Sequence, residues 1–480
     1  MTRKFTAMRI NTIYLLMVSL LLTAGTGCKK WLDVNPKTEI REGILLQDEI
    51  GFKDAITGVY QLLGSGSLYG QQMTMGFMDA IAQRYSVSSS SHVFYQAARF
   101  NYEDAKTKAY IDNFWTGMYE AIANTNNVIG QIDDVQPVFS GNNYNQIKGE
   151  ALALRVFLHF DLLRMFGPSP AVDMETPAIP YVTSFDVSVS PLLSSAAVMD
   201  SCLKDLAEAG QLLSIDKSIK ERYPQEPFLS FTRNHFNYWA VKDLEARILL
   251  YRGDKTGAFA AAKVVIDNQP EYFPFVSLAA ASADDNPDRL YAREHLFSLY
   301  DYKLKQHTEA YTKSGAVNGI PILVHSTGNI KSLYETADGG SSDIRFVYLF
   351  EPAGNSFASK KYWQDKISSN SGFDYLRNLI PIIRLSEIYY ISAECAPSTE
   401  EGVAFLNAVR ANRGLADLNT TISAANLQTE ILKEYKKETY AEGQLFFYFK
   451  RKNAAKVDGS SLTPKYAFPL PDNEVEFGNR

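Results

Sequence analysis

The chain has 480 residues, of which 54 are acidic and 48 are basic, so its net charge is −6 at pH 7. An excess of negative charge is poorly suited to nucleic acid, which requires a basic surface. Three cysteines are too few for a disulfide scaffold, and Cys202 and Cys395 fall in amphipathic stretches that predict burial. A chain of this length must therefore be stabilised by its hydrophobic core.

The first 28 residues have the order of a bacterial export signal that ends in a lipidated cysteine. Basic residues precede an apolar run at 13–24, which is followed by small residues at 25–27 and by Cys28. We expect cleavage before Cys28 and acylation of its side chain, so that acyl chains hold the protein on a membrane. An ordinary signal peptide with an incidental cysteine is the alternative. Without residues 1–27 the chain would carry 45 basic and 54 acidic residues, a net charge of −9.

Helical periodicity of apolar residues dominates the rest of the chain. The predicted helices span residues 48–63, 114–132, 144–166, 238–251, 256–266 and 381–395, and a last one follows Pro397 and closes at Gly414. The helix at 144–166 is apolar on two sides, so we expect it to lie between neighbouring helices. Gly167 and Pro168 are expected to end it.

The later helices form two pairs, each of about 30 to 35 residues, the size of a tetratricopeptide-type unit. In the second pair, Ser398 and Glu401 have the spacing of a capping box. Stretches without sustained helical period lie at 86–100, 168–191, 269–293 and 303–359. We therefore predict an all-α, mainly helical body with tetratricopeptide-like pairs, long irregular loops and minor short strands.

Charged residues on the helix at 144–166, among them Glu150, His159 and Asp161, are better explained by contacts between helices than by catalysis. The same interpretation applies to the charged residues at 384–394. The sequence has no Gly-x-Ser-x-Gly elbow, no Walker-type phosphate loop and no His-Glu-x-x-His spacing. We therefore expect no catalytic residues, no metal site and no cofactor.

Several segments, in order along the chain, resemble the SusD/RagB family of nutrient-uptake lipoproteins of Bacteroidetes-type bacteria. The resemblance begins at Cys28 with the sequence CKKWLDVNP and continues on the helix at 144–166 with GEALALR and FDLLRMFG. The C-terminal segments that resemble the family are 381–389, 406–415, 438–443, 447–451 and 466–471. No single motif decides the matter, but this many in register make the resemblance specific.

The resemblance implies a helical body at 28–480, after a signal peptide at 1–27, with an N-terminal region at about 28–225 and a C-terminal region at 226–480. It implies an outer-membrane lipoprotein, anchored through Cys28 and exposed at the cell surface. It also implies a partner, a SusC-like TonB-dependent β-barrel transporter. Most relatives bind glycans and some bind peptides, so an oligosaccharide is the expected ligand.

Two clusters of polar and aromatic residues are the expected ligand-binding loops. Sugar rings pack their apolar C–H faces on aromatic side chains, and sugar hydroxyls need fixed donors and acceptors. Such groups gather at 76–102 and again at 300–311, where loops of the family often line the ligand site. The residues predicted to bind ligand are Asp79, Arg84, Tyr95, Tyr302 and Tyr311.

These features together predict a surface-anchored receptor that captures oligosaccharides and delivers them to its transporter without altering them. A RagB-like peptide receptor is the alternative among binding proteins. An all-helical enzyme that degrades polysaccharides is the alternative among enzymes.

Overall fold

The computed structural model describes residues 45–313, 322–369, 371–458 and 460–478. The residues from Leu46 to the C-terminus form one compact unit. Among the described residues, no helix combines the length and the apolar character needed to cross a bilayer. The export signal and Cys28 lie outside the described residues, so cleavage and acylation stay predictions. The division of the body near residue 225 also stays a prediction.

The unit is mainly helical, which confirms the predicted fold class. Its longer helices are α1 (Glu49–Leu63), α3 (Ala105–Ile132), α4 (Asn143–Phe166), α5 (Ser195–Leu213), α6 (Tyr238–Arg252), α7 (Lys255–Ile266), α13 (Leu385–Cys395), α14 (Thr399–Ala411) and α15 (Ala424–Glu438). The shorter helices are α2 (Phe77–Ile81), α8 (Gln269–Tyr272), α9 (Leu278–Ala281), α10 (Leu304–Thr312), α11 (Thr327–Leu333), α12 (Ile344–Leu349), α16 (Leu445–Arg451) and α17 (Asp472–Phe477).

Short antiparallel strands join distant parts of the chain. Strand β1 (Pro177–Pro180) pairs with β2 (Leu192–Ser194), and β3 (His295–Tyr300) pairs with β7 (Leu379–Arg384). In a third sheet, β6 (Ser356–Ser359) lies between β4 (Val324–Ser326) and β5 (Phe350–Ala353). These strands fix the loops from which the cavities described below are built.

Helix α4 lies at the centre of the fold because apolar residues cover more than one of its sides. Every residue from Gly149 to Phe166 is buried, and the helix packs between α3 and α5. At Gly167 a Cβ atom would lie 2.8 Å from the carbonyl oxygen of Leu163, an approach that only glycine tolerates. Pro168 cannot continue the helix. The predicted central helix, enclosed by its neighbours, is therefore confirmed.

Both predicted helix pairs are present. Helices α6 and α7 are joined through Gly253, whose φ of +92° suits glycine. Helices α13 and α14 form the second pair, and the Ser398 hydroxyl oxygen accepts a hydrogen bond from the Glu401 backbone N–H at 3.2 Å. The two pairs pack on each other through α7 and α13.

Three local predictions are wrong. Residues 381–384 extend strand β7 instead of starting a helix, because they pair with β3, a partner remote in sequence. Helix α3 begins nine residues earlier than position 114, since the Asp104 side chain caps the N–H groups of Lys106 and Thr107. The stretch at 303–359 holds helices and strands among its described residues, although its sequence lacks a sustained period.

Charged residues of α4 bind neighbouring helices, as predicted. The Tyr60 hydroxyl donates to a carboxylate oxygen of Glu150 at 2.7 Å, and Arg155 Nε donates to Asp205 at 2.8 Å. His159 lies in the same interior. Burial lowers the pKa of its imidazole to about 3, so the ring is neutral at pH 7. Contacts of this kind support structure, not chemistry.

A second set of buried charges, which we call the ion network, lies in the C-terminal half. Its members are mutually bridged side chains, namely Glu294, Asp343, Arg345, Arg384, Arg413, Glu434 and Glu438. Arg384 donates to Glu438 at 2.6 Å, and in the same region Glu394 accepts from Arg451 at 2.7 Å. The charged residues at 384–394 therefore bind other elements, which confirms their predicted structural role.

Candidate ligand-binding site

A polar cavity of about 1120 Å³ opens between the loop at 83–88, helix α11 with the turn that follows it, and helix α15. We call it the polar cavity. Its lining comprises residues 83–88, Arg99, His325, Asn329, 331–333, 335–338, Lys433, Lys436 and Asp458. The first of the two predicted ligand-binding clusters thus supplies one of its walls.

Asp79 lies behind that wall and holds it in place. Its carboxylate is fully buried and accepts hydrogen bonds from the backbone N–H groups of Ala441, at 2.6 Å, and Gly443, at 3.0 Å. Gly443 has a φ of +69°, and a Cβ there would lie 2.1 Å from the Met73 carbonyl oxygen. Burial raises the pKa of Asp79 to about 7 although nearby Arg84 lowers it. The enclosed carboxylate supports the wall of the cavity, and a role of Asp79 in ligand binding stays a prediction.

Arg84 lines the polar cavity while its side chain is almost completely buried. Its Nη2 donates to the Lys436 carbonyl oxygen at 2.5 Å, and its guanidinium carbon lies 4.6 Å from the centre of the Tyr440 ring. The Tyr440 hydroxyl donates in return to the Arg84 carbonyl oxygen at 2.9 Å. Among the described residues, the buried Nε of Arg84 has no hydrogen-bond partner. The guanidinium is thus fixed in position with donor capacity left over.

Tyr95 reaches the cavity only through Arg99. The Arg99 guanidinium carbon lies 3.5 Å from the centre of the Tyr95 ring, and Arg99 Nη1 donates to the Tyr95 carbonyl oxygen at 3.0 Å. Arg99 lines the polar cavity, whereas Tyr95 does not. The aromatic ring therefore positions a cation at the wall.

His325 provides a neutral polar group opposite that loop. Its Nδ1 lies 2.9 Å from the Ser86 hydroxyl oxygen, and the Ser86 N–H donates to the Val324 carbonyl oxygen at 2.8 Å. Burial and, to a smaller extent, the charge of Arg84 lower the pKa of His325 to about 4. The imidazole is therefore uncharged at neutral pH and offers hydrogen bonding without charge.

The wall formed by helix α15 carries lysines that are paired with acids. Lys433 Nζ lies 2.8 Å from a carboxylate oxygen of Glu335, and Lys436 Nζ lies 2.8 Å from Asp458. Buried Lys437 bridges Glu335 at 2.7 Å and Glu434 of the ion network at 3.2 Å. The wall of the cavity is thereby connected to the buried ions behind it.

The polar cavity has an excess of positive charge. Its cationic side chains are Arg84, Arg99, Lys331, Lys433 and Lys436, and its carboxylates are Glu335, Asp338 and Asp458. Five against three leaves +2, because His325 is neutral. The whole chain has a net charge of −6, so the cavity is opposite in sign to the average surface.

A second cavity, of about 440 Å³, is apolar and aromatic in character, and we call it the aromatic cleft. It is lined by Thr57, Tyr60, Gln61, Pro227, Phe228, Ser230, Phe231, Asn234, His235, Tyr300, Asp374 and Arg377. Tyr300 is 49% exposed, and its hydroxyl oxygen accepts from Asn378 Nδ2 at 3.1 Å. The Tyr60 hydroxyl and His235 both bind Glu150 beneath the cleft, at 2.7 and 3.2 Å.

The two tyrosines predicted at 300–311 lie outside the lining of both cavities. Tyr302 is 68% exposed and follows Tyr300 of the cleft by two residues. Tyr311 is half-buried on α10, and its carbonyl oxygen accepts from the Leu323 N–H at 2.6 Å, just before strand β4 and His325. The structure thus brings Arg84, Tyr95 and Asp79 together around one cavity, whereas Tyr302 and Tyr311 belong to the lining of neither cavity. Their role in binding stays a prediction.

Most residues on the far side of the polar cavity carry no signal in the sequence that marks them as part of a site. Asn329, Lys331, Lys433, Lys436 and Asp458 come from segments that lie more than 200 residues beyond Arg84. The only local signal was the resemblance of residues 438–443 to the family, which marks the turn held by Asp79. His325 falls in no motif that the sequence reveals.

Within the described residues, no group of three or more histidine, cysteine, aspartate or glutamate side chains is placed to hold a metal ion. Cys202 and Cys395 are both free and buried, as their sequence context predicts. The groups that the polar cavity offers to a ligand are therefore its charged, amide and hydroxyl side chains.

Two protein-family models match this chain. Residues 30–248 match a family model described as "Starch-binding associating with outer membrane", and residues 352–475 match the model of the SusD family. The two matches together span more than half of the chain. The chain therefore belongs to the SusD/RagB family, which confirms the resemblance found in its sequence.

Individual relatives are distant in sequence but similar over their whole length. SusD-like protein P2 of Formosa agariphila is 23% identical over 517 aligned positions, which cover 96% of this chain and 97% of that protein. A SusD superfamily protein from Bacteroides thetaiotaomicron superimposes with a TM-score of 0.67 at 22% identity, over 90% of this chain and 98% of that one. A SusD-like carbohydrate binding protein from Bacteroides vulgatus gives a TM-score of 0.68 at 18% identity, over 90% and 96%. At these identities the structural likeness shows the fold alone.

Proposed function

We propose that this protein is an outer-membrane receptor that binds an oligosaccharide in the polar cavity and delivers it to a SusC-like TonB-dependent transporter. Its family is described as starch-binding and associated with the outer membrane, and one structural relative is described as carbohydrate binding. The ligand would be released unchanged, so the affinity should be modest.

The observation that carries the proposal is the set of fixed polar groups around one large cavity. Arg84 is held by Tyr440 and the Lys436 carbonyl oxygen, and Ser86 and His325 hold each other at 2.9 Å. Donors and acceptors that are already ordered lose little conformational entropy when they bind sugar hydroxyls. A volume of about 1120 Å³ also exceeds what a single small ligand requires.

The acids around the cavity favour binding over hydrolysis. A glycoside hydrolase needs a carboxylic acid with a raised pKa that can reach the scissile bond. Burial would raise the pKa of Glu335, but hydrogen bonds from Lys433 and Lys437 outweigh it and lower the pKa. Asp79 does have a raised pKa, yet its two oxygens are taken by backbone N–H groups in the interior. Neither residue is suited to protonate a leaving group.

Anchoring and delivery complete the proposal. Acylation of Cys28 would tether the body to the outer membrane at the cell surface, where the transporter is embedded. Support for both comes from the export-signal pattern and from the family. Affinity purification of the full chain from outer membranes should recover a TonB-dependent barrel, and metabolic labelling with a fatty acid should label the wild type but not Cys28→Ala.

The central test uses the full chain in detergent against an array of oligosaccharides and peptides, with chromatography of the ligands afterwards. We expect retention of saccharides without products. The retention of saccharides should fall at least tenfold in Arg84→Gln and in Arg99→Gln. Arg99 is only partly buried, so Arg99→Gln should leave the interior of the protein intact. Arg377→Gln, in the aromatic cleft, is the matched control and should bind like the wild type. Shortened saccharides would indicate an enzyme, and retention of peptides alone would indicate a peptide receptor.

A further inference from the structure

We propose that the polar cavity selects acidic saccharides, whose carboxylate or sulfate groups are bound by Arg84, Arg99 and Lys331. This inference rests on the proposed function and adds the chemical class of the ligand. It is carried by the pairing of charges in the cavity, by the buried guanidinium of Arg84 and by the contrast with the aromatic cleft.

The cations of the cavity differ in whether an acid neutralises them. Lys433 and Lys436 each have a carboxylate within 2.8 Å. Arg84, Arg99 and Lys331 form no ion pair within the described ranges. Among the described residues, Arg99 donates only to the backbone carbonyls of Val87 and Tyr95, and Arg84 only to that of Lys436. Three cations of the cavity thus lack an ion-paired carboxylate in the part of the chain that the structure describes, although the charge of Arg84 does act on buried Asp79.

Among the carboxylates of the cavity, Asp338 alone lacks a cationic partner in the part of the chain that the structure describes. It is exposed on the turn after α11. Glu335 and Asp458 are already paired with lysines. Unpaired positive charges therefore outnumber unpaired negative ones by three to one, so an anionic ligand meets attraction that the protein itself does not satisfy.

Arg84 is the residue that most clearly favours an anionic ligand. Only 3% of the residue is exposed, and its buried Nε has no hydrogen-bond partner among the described residues. A buried charged group with an unused donor is costly unless a counter-charge compensates it. Asp79 compensates it incompletely, because burial keeps the pKa of that carboxyl at about 7. An anion bound at the cavity face of the guanidinium would supply the missing charge, and guanidinium groups bind carboxylates and oxyanions well.

Neutral groups on the same walls suit the rest of a sugar. Ser86, His325 and Asn329 lie together, with Asn329 Nδ2 3.3 Å from the imidazole Nε2. Gln83 and Thr336 add further hydrogen-bonding side chains to the lining. The combination of hydroxyl-binding groups with unpaired cations fits a saccharide that carries negative charge better than an inorganic ion.

The aromatic cleft shows no such excess. Its one arginine, Arg377, lies 3.8 Å from Asp374, which also lines the cleft. His235 binds Glu150 at 3.2 Å. Positive charge in the cleft is thus matched within the protein, and selectivity for anions is expected in the polar cavity only.

The test compares chemically matched saccharides on the full chain in detergent by isothermal titration calorimetry. One pair is galacturonate oligosaccharides and their methyl esters, which tests carboxylate. The other is sulfated galactan oligosaccharides and their desulfated forms, which tests sulfate. We expect the charged member of at least one pair to bind at least tenfold more tightly than its neutral counterpart. That preference should shrink as salt increases, because screening weakens charge pairing.

Variants assign the preference to the cavity. The double variant Arg99→Gln/Lys331→Gln changes partly exposed side chains, so it should fold even if Arg84→Gln does not, and it should reduce the preference for the charged member at least fivefold. Arg377→Gln should leave the preference unchanged. Equal binding of charged and neutral members would overturn this inference while the proposed function stands. If neither series bound while the array retained other saccharides, this inference alone would be overturned, and if the array retained no saccharide, the proposed function would be overturned as well.

Discussion

The polar cavity and the aromatic cleft differ in what holds their walls. Behind the polar cavity, Lys437 bridges Glu335 of the wall and Glu434 of the ion network, which is bound to Arg345 at 2.8 Å. Beneath the cleft, Glu150 accepts from the neutral Tyr60 hydroxyl and the Gln146 amide, and it also binds His235 at 3.2 Å. The shape of the polar cavity therefore depends on a network of buried, paired ions, whereas that of the aromatic cleft depends mainly on hydrogen bonds to one buried carboxylate and on apolar packing.

The difference between the two regions should be clearest in the loss of stability when one buried carboxylate is removed from each. Glu434→Ala leaves Arg345 and Lys437 short of a counter-charge in the interior, which should lower the free energy of unfolding by about 3–5 kcal/mol. Glu150→Ala leaves mainly neutral donors unsatisfied, so we expect a loss of about 1–3 kcal/mol. Urea denaturation of the two variants measures the difference. A larger loss in Glu150→Ala would contradict the comparison.

Acid should weaken the ion-paired region through Glu434. Burial raises the pKa of Glu434, but Arg345, Lys437 and Arg410 outweigh burial and lower it to about 2 from its usual 4.5. Because the pKa in the folded state is depressed, the stabilisation is present above pH 4.5 and is lost as the pH falls towards 2. The loss at pH 3 amounts to about 2 kcal/mol relative to pH 7.

Comparison with Glu434→Gln isolates that contribution, since glutamine does not titrate. Its free energy of unfolding should fall between pH 7 and pH 3 by about 2 kcal/mol less than that of the wild type. Chemical denaturation of both proteins at pH 7 and at pH 3 measures the two falls. Identical falls would show that the pKa of Glu434 is not depressed.

Tyr300→Ala tests whether the cleft takes part in saccharide binding. The ring is half-exposed, so its loss should reduce the free energy of unfolding by about 1 kcal/mol or less. If the ligand occupies the polar cavity, saccharide affinity should stay within about twofold of the wild type, a change of less than 0.5 kcal/mol by the conversion of about 1.4 kcal/mol per tenfold. A tenfold loss, measured by calorimetry, would move the site to the cleft.

Tyr302→Ala should have the smallest effect. The ring is 68% exposed and lies outside the lining of both cavities, so stability should change by about 0.5 kcal/mol or less. Saccharide affinity should change by less than about twofold (0.4 kcal/mol). A loss as large as that in Arg99→Gln would show that the ligand extends from the polar cavity to the turn before α10, as the sequence analysis predicted.

Features fixed by neighbouring residues could be predicted from the sequence. The first helix near position 48, the cap at Ser398, the end of α4 at Gly167 and the enclosed position of α4 follow from local spacing and periodicity. Strand β7 could not be found in this way, because its residues take their conformation from a partner about 80 residues earlier in the chain.

The candidate site was predicted only on the side that one segment supplies. Arg84 could be proposed because polar and aromatic residues gather at 76–102, but the burial of Asp79 could not be predicted, because its partners, Ala441 and Gly443, are more than 360 residues away. Burial decides whether a carboxylate meets ligand or backbone, and burial at such separations is set by tertiary packing. Lys433 and Asp458 were missed for the same reason.

Helix α15 serves two separate tasks on its two sides. On one side, Glu434 and Glu438 belong to the buried ion network. On the other side, Lys436 lines the polar cavity and pairs with the half-exposed Asp458. Substitutions at the outward positions can therefore accumulate without disturbing the inward ones. Such a division would let the charge of the cavity wall change while the inward side of α15 keeps its place in the ion network.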